Sequence, residues 1–206
     1  DIQLCEYTNA RIHFSTITTS ESVKLIREAK SKGLNITADT SSYHLILDDT
    51  ELESFNSNLK VNPPLRSLND IKALKSALKD GTIDAICSDH YPQNIENKKC
   101  EFDLASFGMI NLETSFAAAN TALKDILSKE ELISKFTSKP KAILGLKNEA
   151  IEEGCLADLT LFNPEFKWKY EQENIVSKSK NSGLIGKKFT GKALAVINNG
   201  QMSICN

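Results

Sequence analysis

The first part of the chain alternates between strand-like and helix-like spacing of its apolar residues. Residues 11–16, RIHFST, show the alternation that a half-buried strand needs. Val23, Ile26 and Ala29 then recur at helical spacing, and Gly33 follows as a typical helix end. This stretch therefore predicts a strand followed by an amphipathic helix.

A second strand, a second helix and a third strand follow in the same order. Residues 35–42, NITADTSS, are short and β-branched, which predicts a strand. Residues 69–81, NDIKALKSALKDG, are amphipathic and end on a glycine. Residues 82–90, TIDAICSDH, are mostly apolar until their polar C-terminal end. The order strand, helix, strand, helix, strand predicts a parallel α/β architecture with buried strands.

The pattern changes toward the C-terminus. A loop of roughly 20 residues, which is longer than most connections, leads to two helical segments over residues 112–127 and 129–136. From residue 154 onward, short strand-like pieces alternate with Gly, Asn and Pro, and the Asn199-Gly200 pair is a favoured hairpin turn. These residues predict a small β module.

Composition narrows the class of protein without naming a function. The 206 residues are 40% hydrophobic and 25% charged, which is ordinary for a globular protein. The net charge of −2 gives no basic field for nucleic acid. No apolar run reaches the roughly 18 residues that a membrane helix needs. The five Cys include no C-x-x-C pair, so neither a disulfide framework nor a thiolate zinc site is indicated, and a reducing cytoplasm is the expected compartment.

Two polar residues occupy predicted strand positions of the kind where α/β proteins place active sites. His13 lies within the first predicted strand, and Asp89 ends the third. Imidazole is a common metal ligand, but a lone strand His is also a common structural residue. Asp89 follows mostly apolar residues, where a buried carboxylate needs a partner or a metal. Its other interpretation is a helix cap or a loop carboxylate.

Asn62 stands before two prolines, which hold its backbone extended and present its amide from a stiff segment. A turn-forming Asn is the alternative interpretation. His44 precedes an apolar run and is typical of a core histidine, while the polar residues from His90 to Gln93 either face a pocket or form loop structure.

Six strings in chain order carry a resemblance to a known family. They are RIHFSTITTSESVKLIREAKSKGLNITADTSSYHLIL, KVNPPLRSLNDIKALKSALKDGTIDAICSDHYP, ASFGMINLETSFAAA, SKPKAILGL, EEGCLADLTLFNP and SKSKNSGLIGKKFTGKALAVINNG. Together they resemble dihydroorotases of the barrel-plus-β-domain type, within the amidohydrolase superfamily. NPPLR followed by DGTIDA resembles dihydroorotase more than allantoinase or hydantoinase.

This resemblance implies an α/β fold in two parts. Residues 1–148 would be the last three βα units of a TIM-type (β/α)8 barrel, and residues 149–206 a small β-sandwich-like module. Three βα units cannot close an eight-stranded barrel. We therefore expect the N-terminal half of the barrel to lie before Asp1 or in another chain.

The resemblance also implies roles for single residues. His13 would be a zinc ligand from the sixth barrel strand, and Asp89 would be both a zinc ligand and the catalytic acid/base. Asn62 would contact the substrate, and the backbone at Phe107 and Gly108 would touch its ring. The family's other ligands, an upstream His-x-His pair, a bridging carboxylate and a fifth-strand His, have no counterpart in this chain.

Two departures from the family pattern concern the site. Where the family reads Asp-His-Ala-Pro-His, the last position here is Gln93, which would bind the substrate carboxylate through an amide without a positive charge. Where the family reads Thr-Pro-His-His, this chain has Ser41, Ser42, Tyr43 and His44, so that a Pro and one His are lost.

The implied activity is zinc-dependent interconversion of N-carbamoyl-L-aspartate and dihydroorotate in pyrimidine biosynthesis. Two ligands are too few for a zinc site, so we expect the isolated chain to be inactive. Two other functions stay open: a non-catalytic dihydroorotase-like protein that braces aspartate transcarbamoylase, and a hydantoinase- or allantoinase-like hydrolase. Expected partners are a small-molecule substrate, the other half of the barrel, and a second copy or aspartate transcarbamoylase, but neither nucleic acid nor a membrane.

Overall fold

The N-terminal part of the chain forms a parallel sheet flanked by helices. The computed structural model describes residues 1–147 and 151–205. Its α-helices and strands up to residue 147 are α1 (Ile2–Thr8), β1 (Ile12–Phe14), α2 (Ser20–Ser31), β2 (Ile36–Ser41), α3 (Leu68–Asp80), β3 (Ala85–Cys87), α4 (Ser115–Leu123), α5 (Lys129–Phe136) and α6 (Ser138–Leu144). The strands pair in the order β1-β2-β3, and both pairings are parallel. The predicted parallel α/β architecture is confirmed.

Short polar side chains fix where the helices begin. The hydroxyl of Thr19 accepts a first-turn N–H of α2 at 3.1 Å, and Ser67 does the same for α3 at 3.3 Å. Ser128 and Glu131 form a capping box at the start of α5. Each such cap contributes about 1 kcal/mol. Gly81, with φ of 81°, ends α3 in the left-handed conformation that glycine adopts without strain.

The helices bury their apolar faces against the sheet. Val23 and Ile26 of α2 and Leu74 and Leu78 of α3 lie in one buried cluster with Ile36 of β2. Burial of each large aliphatic side chain contributes roughly 1.5–3 kcal/mol. This packing holds the carboxyl ends of the three strands in fixed positions.

The C-terminal residues form the predicted β module, an antiparallel sheet. It consists of β4 (Leu159–Lys169), β5 (Lys188–Asn198) and β6 (Gln201–Ile204) in that order. Asn199 and Gly200 join β5 to β6, and both have positive φ, 49° and 73°, as the favoured two-residue hairpin turn requires. The predicted hairpin is confirmed.

A second buried cluster joins this sheet to the rest of the chain. Tyr43 and Leu47, from the connection after β2, pack in it with Tyr170, Leu184 and Phe189. The predicted domain boundary between residues 148 and 149 lies outside the described residues. Among the helices of residues 1–147 and 151–205, none is both long and apolar enough to cross a bilayer.

Candidate active site at the strand ends

Asp89 lies just beyond β3, where its carboxylate meets a phenol from the neighbouring connection. Tyr43 follows β2 and is buried, and its hydroxyl donates a hydrogen bond to Asp89 Oδ2. Burial, and then the hydrogen bond to Asp89, raise the pKa of Tyr43, so the phenol stays protonated. The sequence did not predict this pair, although Tyr43 was visible as a departure from the family pattern.

His13 lies in the middle of β1, and both of its ring nitrogens have hydrogen-bond partners. Its Nδ1 is 2.9 Å from Thr37 Oγ1 and its Nε2 is 3.0 Å from Asp39 Oδ2. Asp39 is buried, and its Oδ1 also accepts hydrogen bonds from the Ser15 hydroxyl at 3.1 Å and the Cys87 thiol at 3.4 Å. In a nucleophilic triad the histidine lies between the serine and the carboxylate. Here the Asp39 carboxylate lies between Ser15 and His13, so these residues do not form a triad.

His13 of β1 and Asp89, just beyond β3, lie on either side of the central strand β2. His13 pairs with Thr37, and two residues farther along β2, Asp39 pairs with Ala85. Asp89 lies another four residues beyond Ala85. β3 ends at Cys87, and the positive φ of Asp89, 46°, turns the chain out of the strand direction. A metal site shared by the two predicted zinc ligands, His13 and Asp89, stays a prediction.

The polar groups at the strand ends do not by themselves fit a zinc ion. Within the described ranges, no three side chains of His, Cys, Asp or Glu converge as a metal site requires. Cys87 offers no thiolate, because burial, and then the charge of Asp39, raise the pKa of its thiol to about 12.

His44 connects β2 to the segment that carries Asn62. The backbone carbonyl of Pro63 can only accept a hydrogen bond, so His44 Nε2 donates to it at 3.1 Å and Nδ1 accepts from the Ser41 hydroxyl at 2.7 Å. Burial lowers the pKa of His44 to about 4, which keeps the ring neutral. His44 is therefore a structural histidine, and the side chain of Asn62 is exposed beside this anchor.

The long loop between β3 and α4 brings the other predicted substrate-binding residues together. The Gln93 side-chain amide donates to the Phe107 carbonyl at 2.9 Å, and the Gly108 N–H donates to the Lys60 carbonyl at 2.9 Å. The Lys60 ammonium lies 4.9 Å from the centre of the Phe107 ring. Gln93 and Phe107 thus lie together, and Gly108 contacts the segment that leads to Asn62; their roles in binding substrate stay predictions.

His90, next to Asp89, has a defined tautomer that sequence reasoning left open. Its Nδ1 accepts backbone N–H groups from Asn111 and Leu112, each at 3.1 Å. The proton of the neutral ring is therefore on Nε2. No sequence pattern indicates this role, because the donors belong to the far end of the loop.

A parallel sheet with polar groups at the carboxyl ends of its strands is typical of α/β barrel enzymes that act on small molecules there. The chain belongs to the amidohydrolase family, because the model described as "Amidohydrolase family" matches residues 2–202. It is 42% identical over 205 residues to a dihydroorotase of Endomicrobium trichonymphae, covering 98% of this chain and 49% of that protein. It is 43% identical over 193 residues to a dihydroorotase of Elusimicrobium minutum, covering 93% and 45%. The chain thus spans about half the length of these curated relatives.

Solved structures support the fold. An L-hydantoinase from Arthrobacter aurescens matches with a TM-score of 0.89 and 25% identity, over 98% of this chain and 46% of that one. A dihydropyrimidinase from Brevibacillus agri matches with a TM-score of 0.91 and 24% identity, over 100% and 47%. These likenesses confirm the expected fold, part of a TIM-type barrel with a small antiparallel sheet.

Proposed function

We propose that this chain is part of a dihydroorotase-type cyclic amidohydrolase that interconverts N-carbamoyl-L-aspartate and dihydroorotate. The observation that carries the proposal is the similarity to dihydroorotases, 42% identity over 98% of the chain. The loop contacts support it, because Gln93 donates to the Phe107 carbonyl and Gly108 donates to Lys60, two residues before Asn62. Polar groups held close together in this way are suited to a small polar ring.

Asp89 is the acid/base of the proposed reaction. Tyr43 holds one carboxylate oxygen, while the structure records no partner for Asp89 Oδ1 among the described residues. This oxygen would take the proton of the attacking water and return it to the departing ring nitrogen. The ring opens as the amide bond breaks and a new bond forms between the carbonyl carbon and the water oxygen.

The substrate carboxylate would be held by neutral donors. Gln93 and Asn62 offer amide N–H groups, and the backbone at Phe107 and Gly108 would lie against the ring. In this structure the Gln93 amide donates one N–H to the Phe107 carbonyl, and its second N–H would donate to the carboxylate.

We propose zinc as the metal of the full-length protein, and not of this chain alone. Asp89 would provide one oxygen donor, and His13 would have to give up its bond to Asp39 or Thr37 before binding a metal. Because these residues alone do not fit a zinc ion, we expect the 206-residue chain by itself to bind zinc weakly and to be inactive.

The proposal is tested with Asp89→Asn in the full-length protein, assayed in both directions of the reaction. We expect kcat to fall by about 10²–10⁴-fold, the usual contribution of a positioned acid/base. Asp84→Asn is the matched control, because Asp84 precedes the same strand and accepts hydrogen bonds from Lys30 and the Ala38 N–H. Activity per folded molecule should survive in the control, and equal loss in both variants would contradict the role of Asp89.

A second candidate, a non-catalytic dihydroorotase-like protein, is favoured by one observation. The buried Tyr43 phenol donates to one oxygen of the carboxylate that the chemistry would use. If wild-type full-length protein turns over neither dihydroorotate nor hydantoin with zinc supplied, this candidate is preferred. The next measurement would then be binding to aspartate transcarbamoylase or to a second copy.

A further inference from the structure

A single residue of the β module holds both ends of the loop that carries Gln93 and Gly108. Asn181 lies in the connection between β4 and β5 and is 5% exposed. Its side-chain oxygen accepts the Gln93 N–H at 3.1 Å, and its side-chain nitrogen donates to the Gly108 carbonyl at 3.2 Å. Its backbone carbonyl accepts the Ile110 N–H at 2.9 Å. Residues near both ends of the loop are therefore fixed to one point.

The contacts require an amide in particular. Asn181 also donates to the Tyr91 carbonyl at 3.4 Å, so its side chain offers one acceptor to an N–H and two donors to carbonyls. An aspartate of the same shape could accept the N–H but would turn a carboxylate oxygen toward the carbonyls of Tyr91 and Gly108. Asn181→Asp therefore removes the donors and leaves the side-chain volume almost unchanged.

The connection that carries Asn181 is itself fixed. A Cβ atom on Gly183 would lie 2.4 Å from Leu59 Cδ2, so the backbone there is in close contact with the segment before Asn62. The Glu113 carboxylate accepts two backbone N–H groups of the same connection, at 3.0 and 2.7 Å. Glu113 belongs to the loop itself, but Leu59 does not, so the contact of Gly183 with Leu59 gives Asn181 a support outside the loop that it positions.

We propose that Asn181 is a positioning residue for substrate binding, through which the β module sets the geometry of Gln93 and of the Phe107-Gly108 backbone. The proposal rests on the proposed function, because it takes the loop residues as the substrate contacts. Asn181 acts through the loop and does not touch the substrate.

The kinetic test compares Asn181→Asp and Asn181→Ala with Asn120→Ala in the full-length protein. Asn120 is the matched control, because it is equally buried and also joins the two parts of the chain, donating to the carbonyls of Pro164 and Thr190 at 3.0 and 2.8 Å. We expect both Asn181 variants to raise KM about tenfold, the effect of losing one hydrogen bond between the displaced loop and the substrate. kcat should stay unchanged, and Asn120→Ala should change neither constant. A loss of kcat without a change of KM would overturn the proposal.

Amide hydrogen exchange measures how firmly Asn181 holds the two ends of the loop, without any assay of activity. In Asn181→Ala, the N–H groups of Tyr91 and Gln93 should exchange about tenfold faster than in Asn120→Ala. Equal exchange in the two variants would overturn the positioning role even if turnover is normal. If wild type has no turnover but the exchange pattern is as expected, the proposed function fails and Asn181 holds a loop without a reaction.

Discussion

His44 is buried between β2 and the segment of Asn62, and its two ring nitrogens have fixed partners. A protonated ring would put a second proton on Nδ1, where the Ser41 hydroxyl now donates. Burial is the largest cause of the lowered pKa, about 4, and the nearby Arg66 lowers it further. Asp89 and the carbonyls of Pro63 and Pro64 act in the opposite direction without reversing the shift.

His44 should make the folded protein sensitive to acid. Because the folded pKa lies below the usual value of about 6.5, the unfolded state binds the proton more readily. The contribution to the free energy of unfolding is complete above about pH 6.5 and is lost as pH falls to about 4, a loss of about 3 kcal/mol. His44→Gln should remove this part of the pH dependence.

Urea unfolding of wild type and His44→Gln between about pH 7.5 and about pH 4 measures this difference. Carboxylates that titrate at the acidic end are common to both proteins, so the difference between the two curves isolates His44. Parallel curves would show that the pKa of His44 does not differ between the folded and unfolded states.

At the scale of elements, the β3–α4 loop is held by backbone geometry as well as by side chains. Gly108 has φ of +115°, and a Cβ atom built there would lie 2.3 Å from the Tyr91 ring and 2.8 Å from the Tyr91 carbonyl. Tyr91 N–H in turn donates to the Met109 carbonyl at 2.9 Å. The two ends of the loop lie so close together at this point that only glycine fits.

Gly108→Ala should destabilise the chain more than Gly186→Ala. Both glycines have positive φ, but a Cβ atom on Gly186 would meet nothing within 4 Å. Gly186→Ala is therefore the control, and its loss of unfolding free energy measures backbone strain alone, of order 1–3 kcal/mol. Gly108→Ala adds the steric clash with Tyr91, for which we expect a further loss of about 1–3 kcal/mol. Denaturant unfolding of the two variants gives the comparison, and equal losses would mean that the loop end can shift freely.

Periodic elements could be predicted from the sequence, and contacts between elements could not. The strand predicted over residues 35–42 is observed as Ile36–Ser41, and the helix over 129–136 as Lys129–Phe136. Their apolar spacing and end residues are local signals. The helix predicted over 112–127 is shorter, Ser115–Leu123, and the helix Ile2–Thr8 has no strong apolar stripe and was missed.

The site shows the same limit. The family resemblance gave Gln93, Phe107 and Gly108 roles in substrate binding, and those roles stay predictions. The hydrogen bond between Gln93 and Phe107 is a contact that the sequence did not predict. Other contacts join residues that are far apart in the chain. Examples are the hydrogen bond of Tyr43 to Asp89 and the bonds of Asn181 to the loop. Such contacts depend on tertiary packing, for which a single sequence has no periodic signal.

Across the whole molecule, the buried cluster around Phe189 couples the β module to the barrel part. Phe189 of β5 packs there with Tyr170 from its own module and with Tyr43 from the connection after β2. Neither part buries this surface by itself. We therefore expect the described parts of the chain to unfold together rather than one after the other.

Phe189→Ala should lower the free energy of unfolding by about 3–5 kcal/mol, as is usual for a phenylalanine removed from a core. Phe166→Ala is the control, because Phe166 lies on the neighbouring strand β4 and is 42% exposed. Thermal unfolding followed by near- and far-ultraviolet circular dichroism should give one coincident transition for wild type. Two separated transitions would contradict the coupling.

The buried carboxylate of Asp39 has a consequence for how the parallel sheet assembles. It receives donors from His13 of β1, from Ser15 just after β1, and from Cys87 of β3. A pair of strands without the third would leave the charge of Asp39 short of partners in an apolar setting, where an unpaired charge is costly. A sheet of only two of these strands is therefore disfavoured. We expect the three strands to form in one cooperative step.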